Sequence, residues 1–531
     1  MVGVVKMART FNVTGTCIIE EDYMVDITDK LVQIKAMVDR REYFVINRGR
    51  QYGKTTTLSE LRKYLTGEYI VISMSFENFG GLAFSSETQF CREFLQSIET
   101  ALDMMGLSEE VLRWKNDAVD SFTSLSRHIT SVCRTTDAKY VLLIDEVDKT
   151  SNNVIFLNFL SKLRAKFLAR KTKMDFTFHS VILAGVTDIR NIKLKMVQEG
   201  LSSPSEGELI TYNSPWNIAS AFEVDLSFSI PEIAGMLESY EADHHTGMDT
   251  REIAGEIYDY TEGYPVLVTG ICKNIDEKLD KDWTPVGVRR GVKLLLNEKS
   301  PLFESLTKNL DTNKQLYNFM QSMVVAKRRW GYNPDNELIN IGMKYGYLST
   351  KSGKLAVANK IFDIRLLNYF TTNKEQEDLF KSNDENIDDS GIVVGNTFNM
   401  DVCLEKFAQY YKRYYSKKDE RFIEREGRML FLMFISPVLN GQGFAYIEAQ
   451  SPDGKRTDVV INYLSQQFVI ELKIWDGQKK HEEAAQQLVG YMDRFQTNEG
   501  YLLTFDFREK KELKHEWVAV DDKRKILDVV V

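Results

Sequence analysis

The chain has 531 residues, 43% of them hydrophobic and 27% charged, with 9 Pro. That is ordinary globular composition, long enough for about three domains, and it excludes a collagenous, mucin-like or mostly disordered chain. The formal net charge of −9 argues against a protein that coats nucleic acid by bulk electrostatics, although a local basic groove remains compatible with it.

The 5 cysteines are scattered without a CxxC pair, which excludes a disulfide scaffold or zinc site and suits a reducing compartment. The amino terminus lacks a cationic start followed by an apolar core. The apolar run Met429 to Leu439 is broken by Ser436 and Pro437 and is too short for the ~20 residues of a spanning helix. A cytoplasmic protein without a membrane segment is expected.

In chain order, Tyr43–Asn47, Tyr69–Phe76, Tyr140–Ile144 and Val181–Val186 are short apolar runs. The stretches between them, such as Phe90–Met105 and Val154–Phe167, carry apolar residues at three- and four-residue spacing. Strands alternating with helices predict a parallel sheet covered on both faces, here over residues 1–230. Residues 231–372 turn mainly helical and end in a hairpin around Ser352-Gly353 followed by a helix from Asn359 to Tyr369, as in a helical lid with a winged-helix-like module. Residues 373–400 include the acidic stretch Lys374–Ser390 and are expected to be a solvated linker. In residues 401–531 the pattern predicts helices at Val402–Tyr415 and Phe422–Phe434, then strands at Phe444–Ala449, Asp458–Tyr463 and Phe468–Ile474. A helix at Glu482–Phe495 and a strand at Tyr501–Phe505 complete it. The predicted fold class is α/β, with a mainly helical middle between the two α/β parts.

After the first strand comes Arg48-Gly49-Arg-Gln-Tyr-Gly53-Lys54-Thr55-Thr56, leading into a helix. Backbone N–H groups of such a loop, with the helix N-terminus, surround phosphate oxygens. Lys54 supplies a point charge and the Thr55 hydroxyl suits Mg²⁺. The full pattern has a glycine where this chain has Arg48, with Gly49 one place late. The apolar strand Val141-Leu-Leu-Ile ends in Asp145-Glu146, placing one acid to hold the water shell of Mg²⁺ and the next to polarise an attacking water. These residues resemble the AAA-type branch of P-loop ATPases, over about residues 10–370. The resemblance implies ATP and Mg²⁺ as cofactors, a polar sensor at Thr187 and a lid helix opened by Glu262-Gly-Tyr-Pro-Val-Leu. It also implies a homo-oligomer, ring or dimer, because such sites are usually built between subunits. It names no arginine finger; Arg190 is one of many candidates.

A second constellation is Asp458-Val-Val-Ile followed by Phe468-Val-Ile-Glu471-Leu-Lys473. If the two strands form a hairpin around Leu464-Ser465, Tyr463 faces Gln466 and Asp458 faces Glu471. Lys473 then shares the face of Glu471. Two carboxylates and an ammonium on one side of a small sheet suit a divalent cation and a metal-bound water. A slip of one residue would send Asp458 to the other face. The order resembles the PD-(D/E)xK nuclease superfamily and the nuclease-like domain that follows AAA-like ATPases in many bacterial proteins. By that resemblance Asp458, Glu471 and Lys473 form the core, and Gln487 is the polar helix residue, with Tyr491 one turn on. Glu426, or else Glu424, is the first-helix glutamate, completing a metal set of Asp458, Glu471 and Glu426. Thr457 stands where the nominal motif has proline.

The tyrosines 410, 411, 414 and 415, interleaved with Lys412, Arg413, Lys417 and Lys418, could stack on bases. A helix with tyrosines on its core side is the favoured reading. His481, next to Glu482 and Glu483, reads as a solvated helix start, and His244 and His245 as part of a polar loop. The expected function is an ATPase with a Mg²⁺-dependent nuclease domain acting on DNA, nucleotide state controlling assembly or access. The alternative is a nucleotide-dependent switch whose third domain only holds nucleic acid or a partner.

Overall fold

A computed structural model describes residues 9–147, 154–185, 216, 218–350, 354–379, 390–414, 424–439, 442–447, 459–508 and 512–531, with backbone alone for 374–379, 413–414 and 424–425. The chain divides into two compact units. The first is Met1–His245 with Gly263–Gly270 and Met343–Gly346; the second is Thr246–Glu262, Ile271–Gly342 and Tyr347–Val531.

In the first unit, β1 (Tyr43–Asn47), β2 (Ile70–Ser75), β3 (Tyr140–Asp145) and β4 (Ser180–Gly185) form a parallel sheet in the order β1-β4-β3-β2. All four expected strands are present within a residue or so at each end. Their apolar side chains serve two cores, because neighbours along a strand point to opposite faces. Tyr43 and Val45 join Phe90, Phe94 and Phe159 on one face. Phe44 and Ile46 join Leu31, Leu58 and Leu61 on the other.

The second face is covered by α1 (Thr28–Asp39) and α2 (Lys54–Leu65). The first is covered by α3 (Glu87–Met104), α4 (Ser108–Trp114), α5 (Phe122–Arg134) and α6 (Val154–Lys171). Helix α3 forms because Phe90, Cys91, Phe94, Leu95, Ile98 and Leu102 make one buried stripe, and Ser86 caps its start by accepting from the Gln89 N–H. Burying each such phenylalanine stabilises the fold by about 2–3 kcal/mol. Since β1 and β3 both flank β4 in parallel, the loop after β1 and the acid ending β3 reach the same edge of the sheet. Helix α7 (Ile230–His244) opens with a Ser229–Glu232 capping box and a proline in its first turn.

The second unit contains α8 (Thr250–Thr261), the later part of α9 (Pro265–Lys278), α10 (Pro285–Asn297), α11 (Pro301–Thr312) and α12 (Lys314–Val324). Helix α13 (Glu337–Lys344) follows, and the expected hairpin is β5 (Leu348–Ser349) paired with β6 (Ala356–Val357); its turn, 351–353, lies outside the described residues. Helix α14 (Lys360–Leu379) runs into the acidic stretch read as linker. Beyond it β7 (Val393–Val394) pairs with β8 (Thr397–Phe398).

The C-terminal sheet has six strands in the order β13-β14-β12-β11-β10-β9. These are β9 (Gly443–Tyr446), β10 (Val459–Tyr463), β11 (Gln466–Ile474), β12 (Glu499–Phe505), β13 (Lys514–Ala519) and β14 (Lys525–Val530). Helices α15 (Met400–Tyr414), α16 (Glu424–Leu439) and α17 (Gln478–Arg494) belong to the same region. Ala484, Leu488, Tyr491 and Met492 of α17 pack on Val469, Leu502 and Ile526 of the sheet. Strands β13 and β14 were not expected from the sequence. β13 is a largely exposed edge strand without an apolar face, and Asp528 interrupts the apolar run of β14. Among the described residues no helix is long and apolar enough to cross a membrane.

Candidate nucleotide and nuclease-like sites

The phosphate loop lies between β1 and α2, with two residues in the left-handed region, Gln51 at φ 53 and Gly53 at φ 77. Such alternation turns successive N–H groups inward to form an anion-binding concavity. Gly53 is the residue before the first turn of α2. Lys54 is buried, and its ammonium donates to the carbonyls of Arg48 at 3.0 Å and Gly49 at 2.8 Å. Thr55 donates to Asp145 Oδ2 at 2.8 Å. The other Asp145 oxygen accepts from the Glu146 N–H at 2.8 Å, and Glu146 itself turns the chain with φ 55. Thr56 accepts from the Cys17 N–H at 3.2 Å, which ties the N-terminal segment to the loop.

Arg48, at the position where the motif has glycine, has a structural job. Its guanidinium donates to the carbonyls of Asn47 at 2.9 Å and Val224 at 2.8 Å and lies over the Phe222 ring at 5.2 Å. Burial pulls its pKa below the ordinary arginine value. Thr187 and Arg190 lie outside the described residues.

The start of α9 meets this loop. Gly263 has φ 73, and a Cβ there would sit 1.9 Å from the Phe228 carbonyl oxygen. That close approach admits only glycine, and the Phe228 N–H donates back to the Gly263 carbonyl at 2.8 Å. Tyr264, buried, donates its hydroxyl to the Arg50 carbonyl at 2.5 Å and meets the Tyr52 ring edge-on at 4.6 Å. Burial pushes the Tyr264 pKa well above the usual phenol value. A cavity beside the loop is walled by Asn12, Cys17, Gln51, Gly53, Thr56, Phe228, Pro265 and Val266. The resemblance makes the Gly-Tyr-Pro string a lid opening and assigns no role to Tyr264 itself.

In the C-terminal sheet β10 and β11 pair antiparallel with Tyr463 opposite Gln466 and Val459 opposite Ile470, the expected register. Asp458 lies outside the described residues, one position before the paired segment. Glu471 is fully buried, and Lys473, on its face, approaches its Oε1 at 2.8 Å. Gln487, on α17, donates to the Tyr491 hydroxyl at 2.8 Å. Glu426 is half-buried in the first turn of α16; the side chain of Glu424 is outside the described set. Among the described residues no group of three or more His, Cys, Asp or Glu side chains is arranged to hold a metal ion. Glu471 and Lys473 are thus brought together by their ion pair, and the expected metal set includes Asp458, which lies outside the described residues.

His481 corrects its sequence-based reading. It is not solvated: its side chain is 10% exposed, with Nε2 at 3.0 Å from Asp528 Oδ2 and Nδ1 at 3.4 Å from the Thr504 hydroxyl. The unexpected strand β14 supplies that acid beneath α17. Lys514 also donates to Asp528, at 2.8 Å. Burial raises the Asp528 pKa, but the bonds from His481 and Lys514 outweigh it and hold the carboxyl below its ordinary value. Lys473, Trp475, Lys480, His481 and Thr504 line one depression. Of the basic aromatic stretch, Tyr411 is buried and Tyr410 packs on Phe407 and Phe434, so these two tyrosines take the core side, as favoured.

No known protein family matches the chain by sequence, and no curated protein does. Solved structures that resemble it include the Walker-type ATPase of Pyrococcus abyssi, at 11% identity and TM-score 0.47 over 67% of this chain and 99% of that one. The ORC2 protein of Aeropyrum pernix gives 11% identity and TM-score 0.35 over 69% and 99%. The RuvB Holliday junction branch migration motor of Thermotoga maritima gives 13% and 0.31 over 66% and 96%. Likenesses of this size leave the function of this α/β chain to its own residues.

Proposed function

We propose that the chain is an AAA-like protein that binds and hydrolyses ATP, with a C-terminal PD-(D/E)xK nuclease-like domain acting on DNA phosphodiesters, the nucleotide state controlling assembly or access. The observation that carries the first half is the 2.8 Å bond between Thr55 and Asp145, residues distant in sequence and named independently for the same ion. A hydroxyl and a carboxylate side by side are the hard oxygen donors that Mg²⁺ takes, so these two would hold it. When bound, Mg²⁺ supplies positive charge against the phosphate oxygens. Lys54, now satisfied by loop carbonyls, would turn to the phosphates, and Glu146 would orient the attacking water.

The nuclease half is supported by the expected register of β10 and β11 and by the Glu471–Lys473 pair. There Lys473 would orient the water, while Asp458, with Glu471 and Glu426, would hold the metal. One observation favours the second reading, a nucleotide-dependent switch that only holds nucleic acid or a partner: the Glu471 carboxylate is already engaged by Lys473 in a fully buried position. Purified chain with supercoiled DNA and Mg²⁺ or Mn²⁺, with and without ATP, separates the two. The nuclease reading expects nicking that Lys473→Ala abolishes while ATP turnover persists. Absence of nicking in every metal selects the switch, and undiminished nicking by Lys473→Ala rejects the nuclease site built on Lys473.

A further inference from the structure

Resting on the nucleotide reading of the loop, we propose that Tyr264 is a positioning residue that sets the phosphate cradle by fixing one peptide plane. Its hydroxyl donates to the Arg50 carbonyl at 2.5 Å. In a trans peptide the carbonyl and the following N–H point in opposite directions. Anchoring the Arg50 oxygen on Tyr264 therefore aims the Gln51 N–H away from Tyr264. Gln51, at φ 53, lines the cavity together with Tyr52 and Gly53, and Tyr264 does not. The N–H is thus turned to the side of the loop opposite its anchor, and with Gly53 at φ 77 it belongs to the run of N–H groups that forms the anion-binding concavity.

Three further observations fit a built device. The Tyr264 hydroxyl lies so close over Gly49 that a Cβ there would stand 3.3 Å from it. The Tyr52 ring braces Tyr264 edge-on at 4.6 Å. The Gln51 carboxamide oxygen is buried with no hydrogen-bond partner among the described residues, an acceptor left on the same cavity wall. Pro265 and Val266, the residues after Tyr264, form part of that wall too. The Tyr264 hydroxyl thereby joins lid opening and phosphate cradle.

The test is calorimetric titration of the full chain and its Tyr264→Phe variant with ATP and with adenosine. Removing one hydrogen bond that preorganises a phosphate donor is expected to weaken ATP binding about tenfold. Adenosine, which has no phosphates, is expected to bind both proteins equally. A phosphate-specific loss is what a merely structural role would not give. Gly49→Ala, which crowds the hydroxyl without deleting it, should weaken ATP in the same direction and less. ATP affinity unchanged in Tyr264→Phe, or ATP and adenosine weakened alike in both variants, would overturn the proposal. A wild-type chain that binds no ATP would overturn the nucleotide reading, and the role of Tyr264 with it.

Discussion

Thr55 on the first turn of α2 and Asp145 at the end of β3 are joined by a 2.8 Å hydrogen bond. The parallel order β1-β4-β3-β2 brings them together, because it delivers the loop after β1 and the end of β3 to one edge. Thr55 is exposed and contributes little to packing. Thr55→Ala is therefore expected to leave the melting temperature within a degree or two of wild type, about ±0.5 kcal/mol, while lowering Mg²⁺-dependent ATP turnover at least about tenfold. Steady-state phosphate release and a thermal melt measure both. Wild-type turnover in the variant would remove Thr55 from the site.

Gly263→Ala places a methyl group 1.9 Å from the Phe228 carbonyl oxygen at a backbone position with φ 73. Backbone on backbone cannot yield as a flexible side chain does, and a left-handed alanine adds about 1 kcal/mol of strain. The expected loss is on the order of 3 kcal/mol or more. Denaturant titration of the full chain reads it as a lower midpoint; an unchanged midpoint would contradict the close approach.

The first unit was largely legible before its structure. Its four strands are buried on both faces, so each reads as a continuous apolar run, and glycine, lysine and threonine follow the first of them. In the C-terminal region the hairpin register was legible because a two-residue turn at Leu464-Ser465 sets Tyr463 opposite Gln466, and with it Ile461 opposite Phe468 and Val459 opposite Ile470. Strand β13 was not, since an edge strand with Lys514 and Glu516 looks like a loop. The pairing of His481 with Asp528 was hidden because Asp528 itself interrupts the apolar run of β14, the strand that carries it. Tyr264 stood inside a recognised string, but nothing local in Gly-Tyr-Pro says that the ring turns back to Arg50.

Lys473→Ala removes the cation 2.8 Å from a fully buried carboxylate. Breaking a buried pair from one side costs more than replacing both partners. The expected destabilisation is on the order of 2–3 kcal/mol, and Glu471→Gln in the same chain should recover most of it. Urea unfolding of the single and double variants supplies the comparison; equal midpoints for all three proteins would refute the ion pair as a structural element.

His179 is half-buried beside Tyr69, ring centroids 5.1 Å apart. Burial, with Arg41, Arg170 and Lys139 nearby, holds its pKa down to about 4 from 6.5. Between those values the unfolded chain takes up a proton that the folded one refuses, so stability falls as pH drops through this window. His179→Gln should lose less stability than wild type from pH 7 to pH 4. Parallel pH profiles of the two proteins would contradict this.

ATP turnover in Mg²⁺ by the wild-type chain, Glu146→Gln and Lys54→Ala tests the central claim most directly, with nucleotide binding measured alongside. The expected result is measurable hydrolysis by wild type, retained ATP binding with turnover reduced about a hundredfold or more in Glu146→Gln, and weakened binding in Lys54→Ala. Hydrolysis at the wild-type rate in both variants would show that the constellation around Thr55 and Asp145 is not where a triphosphate is cleaved.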